Sequence, residues 1–117
     1  MEYWIGALTF TPDGKTLISG SRDHTIKFYE MPTLREYRTL REHTGWVRNL
    51  LVTNDGKVLI SASDDSSVKM WNLQTGKCFR TLKPHKGAIR GIALSTDQRF
   101  LATASTDHTI KLWEGGA

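Results

Sequence analysis

Ser, His and Asp residues are spread along this 117-residue chain in a way that invites a hydrolytic reading. A hydroxyl, an imidazole and a carboxylate are the parts of a nucleophile–base–orienter set. His43, Ser61 and Asp65 supply one such set, with Trp71 nearby. The same residue classes recur as His85, Thr103, Asp107 and Trp113. Catalysis rarely needs one triad per structural unit, so the recurrence points to a structural role and away from an enzyme. Metal chemistry has less support still: His24, His43, His85 and His108 show no close ligand spacing, and neither a metal nor a cofactor is expected. Cys78, the single cysteine, has no Cys–His signature around it and reads as a small, half-buried apolar group. Gly14 and Gly56 belong to hairpin signals, not to a phosphate-cradling loop.

The elements that must position these residues come from a repeat. Asp23, Asp65 and Asp107 are spaced by 65 − 23 = 42 and 107 − 65 = 42 residues. His43 and His85 keep the same step, as do Phe28-Tyr29, Met70-Trp71 and Leu112-Trp113. The strings SGSRDHTIKFY, SASDDSSVKMW and TASTDHTIKLW therefore align without a gap. Each unit reads as four strands. In the middle unit these are Trp46–Thr53, Val58–Ser63, Ser67–Asn72 and Lys77–Lys83, separated by the turn signals around Asp55-Gly56, Asp64-Asp65 and Thr75-Gly76. Trp46–Thr53 is apolar without clean alternation, as expected of a strand covered on both faces. A period of about 40–45 residues with four strands per unit is that of propeller blades.

With these strings in register, the chain resembles the WD-repeat family over essentially its whole length. TFTPDGKTLISGSRDHTIKFY follows the family pattern, and HTGWV and HKGAI resemble its Gly-His region. The resemblance implies an all-β chain of β-propeller blades, each a four-stranded antiparallel sheet. The blades would span residues 1–42, 43–84 and 85–117, the third lacking its outer strand. It also implies that Asp, His, Ser or Thr, and Trp form a hydrogen-bond relay within a blade: Asp65–His43–Ser61–Trp71 in the second and Asp107–His85–Thr103–Trp113 in the third. Ser63 and Ser105 share a strand face with Ser61 and Thr103, which leaves the choice of hydroxyl open. The first blade keeps Ser19 and Asp23, but Tyr29 stands at the Trp position and Met1 at the His position, so its relay is incomplete and it should be the least stable blade.

The family binds partner proteins at one rim of the central channel. Carried onto this chain, the rim positions are Trp4, Gly6 and Arg22, then Trp46, Arg48 and Asp64, then Ala88, Arg90 and Thr106. Trp and Arg are the types most enriched at interface hot spots. Trp4, Arg22, Trp46, Arg48, Asp64, Arg90 and Thr106 are thus the candidate binding residues, for a protein partner with an acidic segment and an apolar anchor. The alternative at these tryptophans is plain packing between blades, with solvated arginines.

Composition is consistent with such a scaffold. Charged residues make up 24% and hydrophobic residues 38%, the range of an ordinary soluble protein. No apolar run approaches the about 20 residues that span a bilayer, so no membrane is expected and the reading is cytoplasmic. The net charge is +4, from 16 basic and 12 acidic residues. Arg35, Arg38, Arg41, Lys77, Arg80 and Lys83 alternate along the outer strands as charges at exposed edges do. Binding of nucleic acid or another anionic ligand through these and the rim arginines is the rival reading. Propellers use about 4–8 blades, so three leave two expectations: a partial ring that is a fragment or excerpt of a longer propeller, or a homo-oligomer in which two chains give 2 × 3 = 6 blades.

Overall fold

The computed structural model describes residues 4–114. Within them eleven strands form and no helix does: β1 Ile5–Phe10, β2 Thr16–Ser21, β3 Ile26–Glu30, β4 Arg35–Leu40, β5 Val47–Val52, β6 Val58–Ser63, β7 Val68–Asn72, β8 Cys78–Leu82, β9 Ile89–Leu94, β10 Phe100–Ser105 and β11 Ile110–Glu114. They make three antiparallel sheets ordered β1-β2-β3-β4, β5-β6-β7-β8 and β9-β10-β11. Each strand pairs only with its neighbours in sequence. The inner strand β5 lies against β1 on one side and β9 on the other, so the sheets stack as an open arc, not a closed ring. No helix of the described residues is long and apolar enough to cross a membrane.

The hairpin turns explain why the strands end where they do. Gly14 and Gly56 adopt φ near +72°, a left-handed conformation that costs glycine little. The third copy of this turn has Gln98 in the same region, at φ 61°. The turns after β2, β6 and β10 likewise hold His24, Ser66 and His108 at positive φ. That placement accounts for two of the period-matched histidines as turn residues.

Each inner strand carries a β-bulge at the same point. Ile5 pairs with Ser21 and Ala7 with Gly20; Val47 pairs with Ser63 and Asn49 with Ala62; Ile89 pairs with Ser105 and Gly91 with Ala104. The extra residues are Gly6, Arg48 and Arg90. A bulge bends its strand and re-aims the side chain it carries.

Two cores lie between the sheets. Ile18, Ile26, Phe28 and Leu40 of the first sheet meet Val47, Leu50, Leu59 and Trp71 of the second. On the other face of the second sheet, Ile60, Ala62 and Val68 meet Ile89 and Leu101 of the third, flanked by Ile92, Leu94 and Trp113. The second sheet is thus covered on both faces, as the unalternating apolar run of β5 requires.

Candidate functional site

The Ser–His–Asp residues of the second sheet form one continuous chain of hydrogen bonds. Trp71 Nε1–H donates to Ser61 Oγ at 2.9 Å. Ser61 Oγ lies 2.7 Å from His43 Nε2, and His43 Nδ1 lies 2.9 Å from Asp65 Oδ2. With Ser61 accepting from Trp71, its own hydrogen is free for His43 Nε2. The network thereby assigns the ring the Nδ1–H tautomer, donating to Asp65. Thr44 N–H and Ser67 N–H also donate to the Asp65 carboxylate, at 2.9 and 2.8 Å. Burial raises its pKa, but the bonds from His43, Ser67 and Thr44 outweigh this and hold the group well below the usual carboxylate range. Both the His43 side chain and Ser61 are fully buried, so no substrate reaches this hydroxyl.

The other two sheets differ in informative ways. In the third, His85 Nε2 lies 2.8 Å from Thr103 Oγ1, and His85 Nδ1 lies 3.1 Å from Asp107 Oδ2. The bond expected from Trp113 is not made, since its Nε1 is buried without a partner. Trp113 sits on β11, which has no fourth strand beside it among the described residues and leaves the indole only half-buried. In the first sheet Ser19 Oγ is buried and unpartnered, so Ser19 and Asp23 are not joined as a relay. Asp23 instead accepts from Thr25. Met1, at the His position, lies outside the described residues.

The open choice of hydroxyl resolves to Ser61 and Thr103. Ser63 Oγ and Ser105 Oγ accept from the turn amides of Asp65 and Asp107, at 3.1 Å each. Sequence reasoning missed a further hydroxyl. Ser67 Oγ lies 3.3 Å and Thr109 Oγ1 2.8 Å from the Nδ1 of their histidines. The signal was present, because Thr25, Ser67 and Thr109 follow the turn Asp at the same period.

The rim positions converge at one end of the inner strands. The N–H groups of Arg22, Asp64 and Thr106 donate to the carbonyls of Trp4, Trp46 and Ala88 at 2.9, 2.9 and 3.0 Å, so the three turns are pinned alike. On this frame six of the seven candidate residues form a ladder across the sheets. The rings of Trp4 and Trp46 are 6.0 Å apart and tilted. Arg22 lies over both, 5.2 Å from Trp4 and 5.8 Å from Trp46. Arg48 covers Trp46 at 3.9 Å and its Nε donates to Asp64 Oδ1 at 2.8 Å. Arg90, from the third sheet, reaches the same oxygen at 3.8 Å. Thr106 stands apart, its hydroxyl packed over Gly87.

The bulges make this possible. Arg48 and Arg90 are the bulge residues of β5 and β9, turned toward Asp64. At the third bulge a Cβ on Gly6 would collide with the Trp46 indole and with Val47 O, so glycine there lets Trp46 lie across the first sheet. Trp46 is half-buried in this packing, whereas Trp4 is 66% exposed and Arg90 has half its side chain in solvent.

The outer-strand charges are not uniformly solvated. Arg38, expected at an exposed edge, lies 5.2 Å over Phe28 and donates to Leu73 O at 2.8 Å, clasping the first sheet to the second. Arg35 pairs with Glu30 at 3.3 Å, and Lys27 with Glu36 at 3.7 Å.

No curated protein aligns significantly with the chain. The family model described as "WD domain, G-beta repeat" matches it three times, over residues 2–30, 34–72 and 76–114. The second and third matches each begin in the turn just before the fourth strand of one sheet and end on the third strand of the next. Together the matches take in all eleven strands, and the chain belongs to the WD domain, G-beta repeat family.

Proposed function

We propose that this chain is a non-catalytic scaffold that binds partner proteins on the rim built by Trp4, Arg22, Trp46, Arg48, Asp64 and Arg90. Repeats of this family generally mediate protein–protein interaction. The observation that carries the reading is the ladder itself: two guanidinium groups, Arg48 and Arg90, share the Asp64 carboxylate, and a third, Arg22, lies over an exposed indole. The surplus positive charge favours a partner segment with Asp or Glu, and Trp4 offers an apolar contact for an anchor residue beside it. Fully buried His43 and Ser61 argue against hydrolysis. Two of the six outer-strand cations are engaged within the chain, Arg35 with Glu30 and Arg38 with Leu73 O, which shortens the basic stripe open to nucleic acid.

The test is fluorescence anisotropy with a labelled peptide carrying one Phe flanked by Glu residues, against the same peptide flanked by Lys. The acidic peptide should bind preferentially. Arg22→Glu with Arg90→Glu should weaken it by about tenfold or more, with circular dichroism unchanged. Equal binding of both peptides, or no effect of the substitutions, rejects the reading. Arg48 is left intact because Asp64 already engages it. Duplex DNA in place of the peptide tests the rival: affinity falling steeply with salt, without sequence preference, would favour it.

A further inference from the structure

At the two internal junctions between sheets, a pair of rim residues trades sizes. At the first junction the bulge residue is Gly6, and the residue just before the next inner strand is Trp46. At the second junction the bulge residue is Arg48, and the residue 88 − 46 = 42 places on from Trp46 is Ala88. A Cβ on Gly6 would fall inside contact distance of both Nε1 and Cδ1 of Trp46, so the indole rests on bare backbone. Ala88 has no ring to lay across Arg48. The seat for an indole is therefore particular to the first junction, and the repeat alone does not account for it.

The seated ring is hemmed in by other rim residues. Its centre is 6.0 Å from that of Trp4, 5.8 Å from the Arg22 guanidinium and 3.9 Å from that of Arg48. Its Nε1 is buried and has no hydrogen-bond partner, so it offers no donor to a ligand. Arg22 comes from the first sheet and Arg48 from the second, and both lie against this ring. Arg48 in turn donates to Asp64, which Arg90 of the third sheet also approaches. One indole thus ties the guanidinium of the first sheet to the charged group at the second junction.

We infer that Trp46 is a positioning residue of the rim, which fixes Arg22 and Arg48 while the partner itself is met by Trp4, Arg22 and Arg90; this rests on the reading of the rim as the binding surface. Exposure divides the residues in the same way. Trp4 is 66% exposed and the Arg90 side chain 50%, against 27% for Arg48 and a half-buried Trp46. An arginine released from its ring keeps its charge but regains rotamers that binding must then freeze. Loss of the Trp46 ring should accordingly weaken a partner that never touches it.

Three measurements on the 117-residue chain test this. Trp46→Phe keeps an aromatic face at the seat, and Trp46→Leu keeps apolar bulk without one. In the free chain, NMR relaxation of the arginine Nε–H groups should show Arg22 and Arg48 restrained in wild type and Trp46→Phe, and mobile in Trp46→Leu. The acidic Phe-containing peptide should bind Trp46→Phe within about twofold of wild type and Trp46→Leu about tenfold more weakly. In the unsubstituted sequence labelled with fluorotryptophan, adding that peptide should shield the Trp4 fluorine signal from solvent and leave the Trp46 signal unchanged. Arginines equally restrained in Trp46→Leu, Trp46→Phe as weak a binder as Trp46→Leu, or a Trp46 signal shielded as fully as that of Trp4 would each overturn the inference and leave the rim reading standing. A wild-type chain that binds acidic and basic peptides alike would overturn the rim reading, and the positioning role in binding with it.

Discussion

Asp65 is the residue on which most of the second sheet's polar contacts meet. It accepts from His43, Thr44 and Ser67, and its side chain is 9% exposed. Removing it leaves buried donors without a partner, at a cost of about 1–3 kcal/mol. Asp65→Ala should therefore lower the melting temperature by several degrees. Asp107→Ala should do less, because that side chain is 19% exposed, and Asp23→Ala least, because Asp23 has no histidine partner among the described residues. Calorimetry on the three variants checks the order. The effect should also depend on pH. Folding holds Asp65 below its ordinary value of 3.8, so the stability its charge contributes is full above that value and is lost as pH falls. The gap between wild type and Asp65→Asn, measured by urea unfolding, should accordingly be widest near neutrality and shrink below about pH 4. A gap that widened on acidification would contradict the assignment.

At the scale of strands and turns, the period was legible because it is geometric. A four-stranded unit with short turns needs its turn formers, inward apolar residues and relay groups at fixed offsets, so Asp23, Asp65 and Asp107 mark the fold by spacing alone. The rim positions were carried over from the family resemblance, and their contacts were not legible. Arg22 lies across Trp4 and Trp46 only because the first two sheets pack at a particular distance, and no local pattern encodes that distance. Arg38 was misread because alternation with polar neighbours looks the same whether a guanidinium faces solvent or folds over Phe28. The unmet bond of Trp113 was hidden too, since it depends on what flanks β11. One departure from the repeat gives a direct prediction. Gln98 occupies a left-handed turn position where the other two units have glycine. Relief of that backbone cost should make Gln98→Gly more stable by about 0.5–1 kcal/mol, read as a shift in the urea midpoint. A lower midpoint would show that the Gln98 side chain contributes more than its backbone costs.

Across the whole molecule, protection is uneven by construction. The second sheet has a core on each face, the first and third have one each, and β11 has no fourth strand beside it among the described residues. Amide hydrogen exchange of the chain should be slowest in β5, β6 and β7 and fastest in β1 and β11. Uniform exchange would mean that the arc opens as one unit.

The strand order carries a kinetic consequence. Every sheet is a simple meander, in which each strand bonds only to its neighbour in the chain. The backbone contacts are therefore local, and few long loops must close before a sheet can form. Each sheet can assemble as soon as its own strands are synthesised. Docking of one finished sheet on the next is left as the step that must search over distance, and Trp71, contributed last to the first core, is well placed to report it by fluorescence.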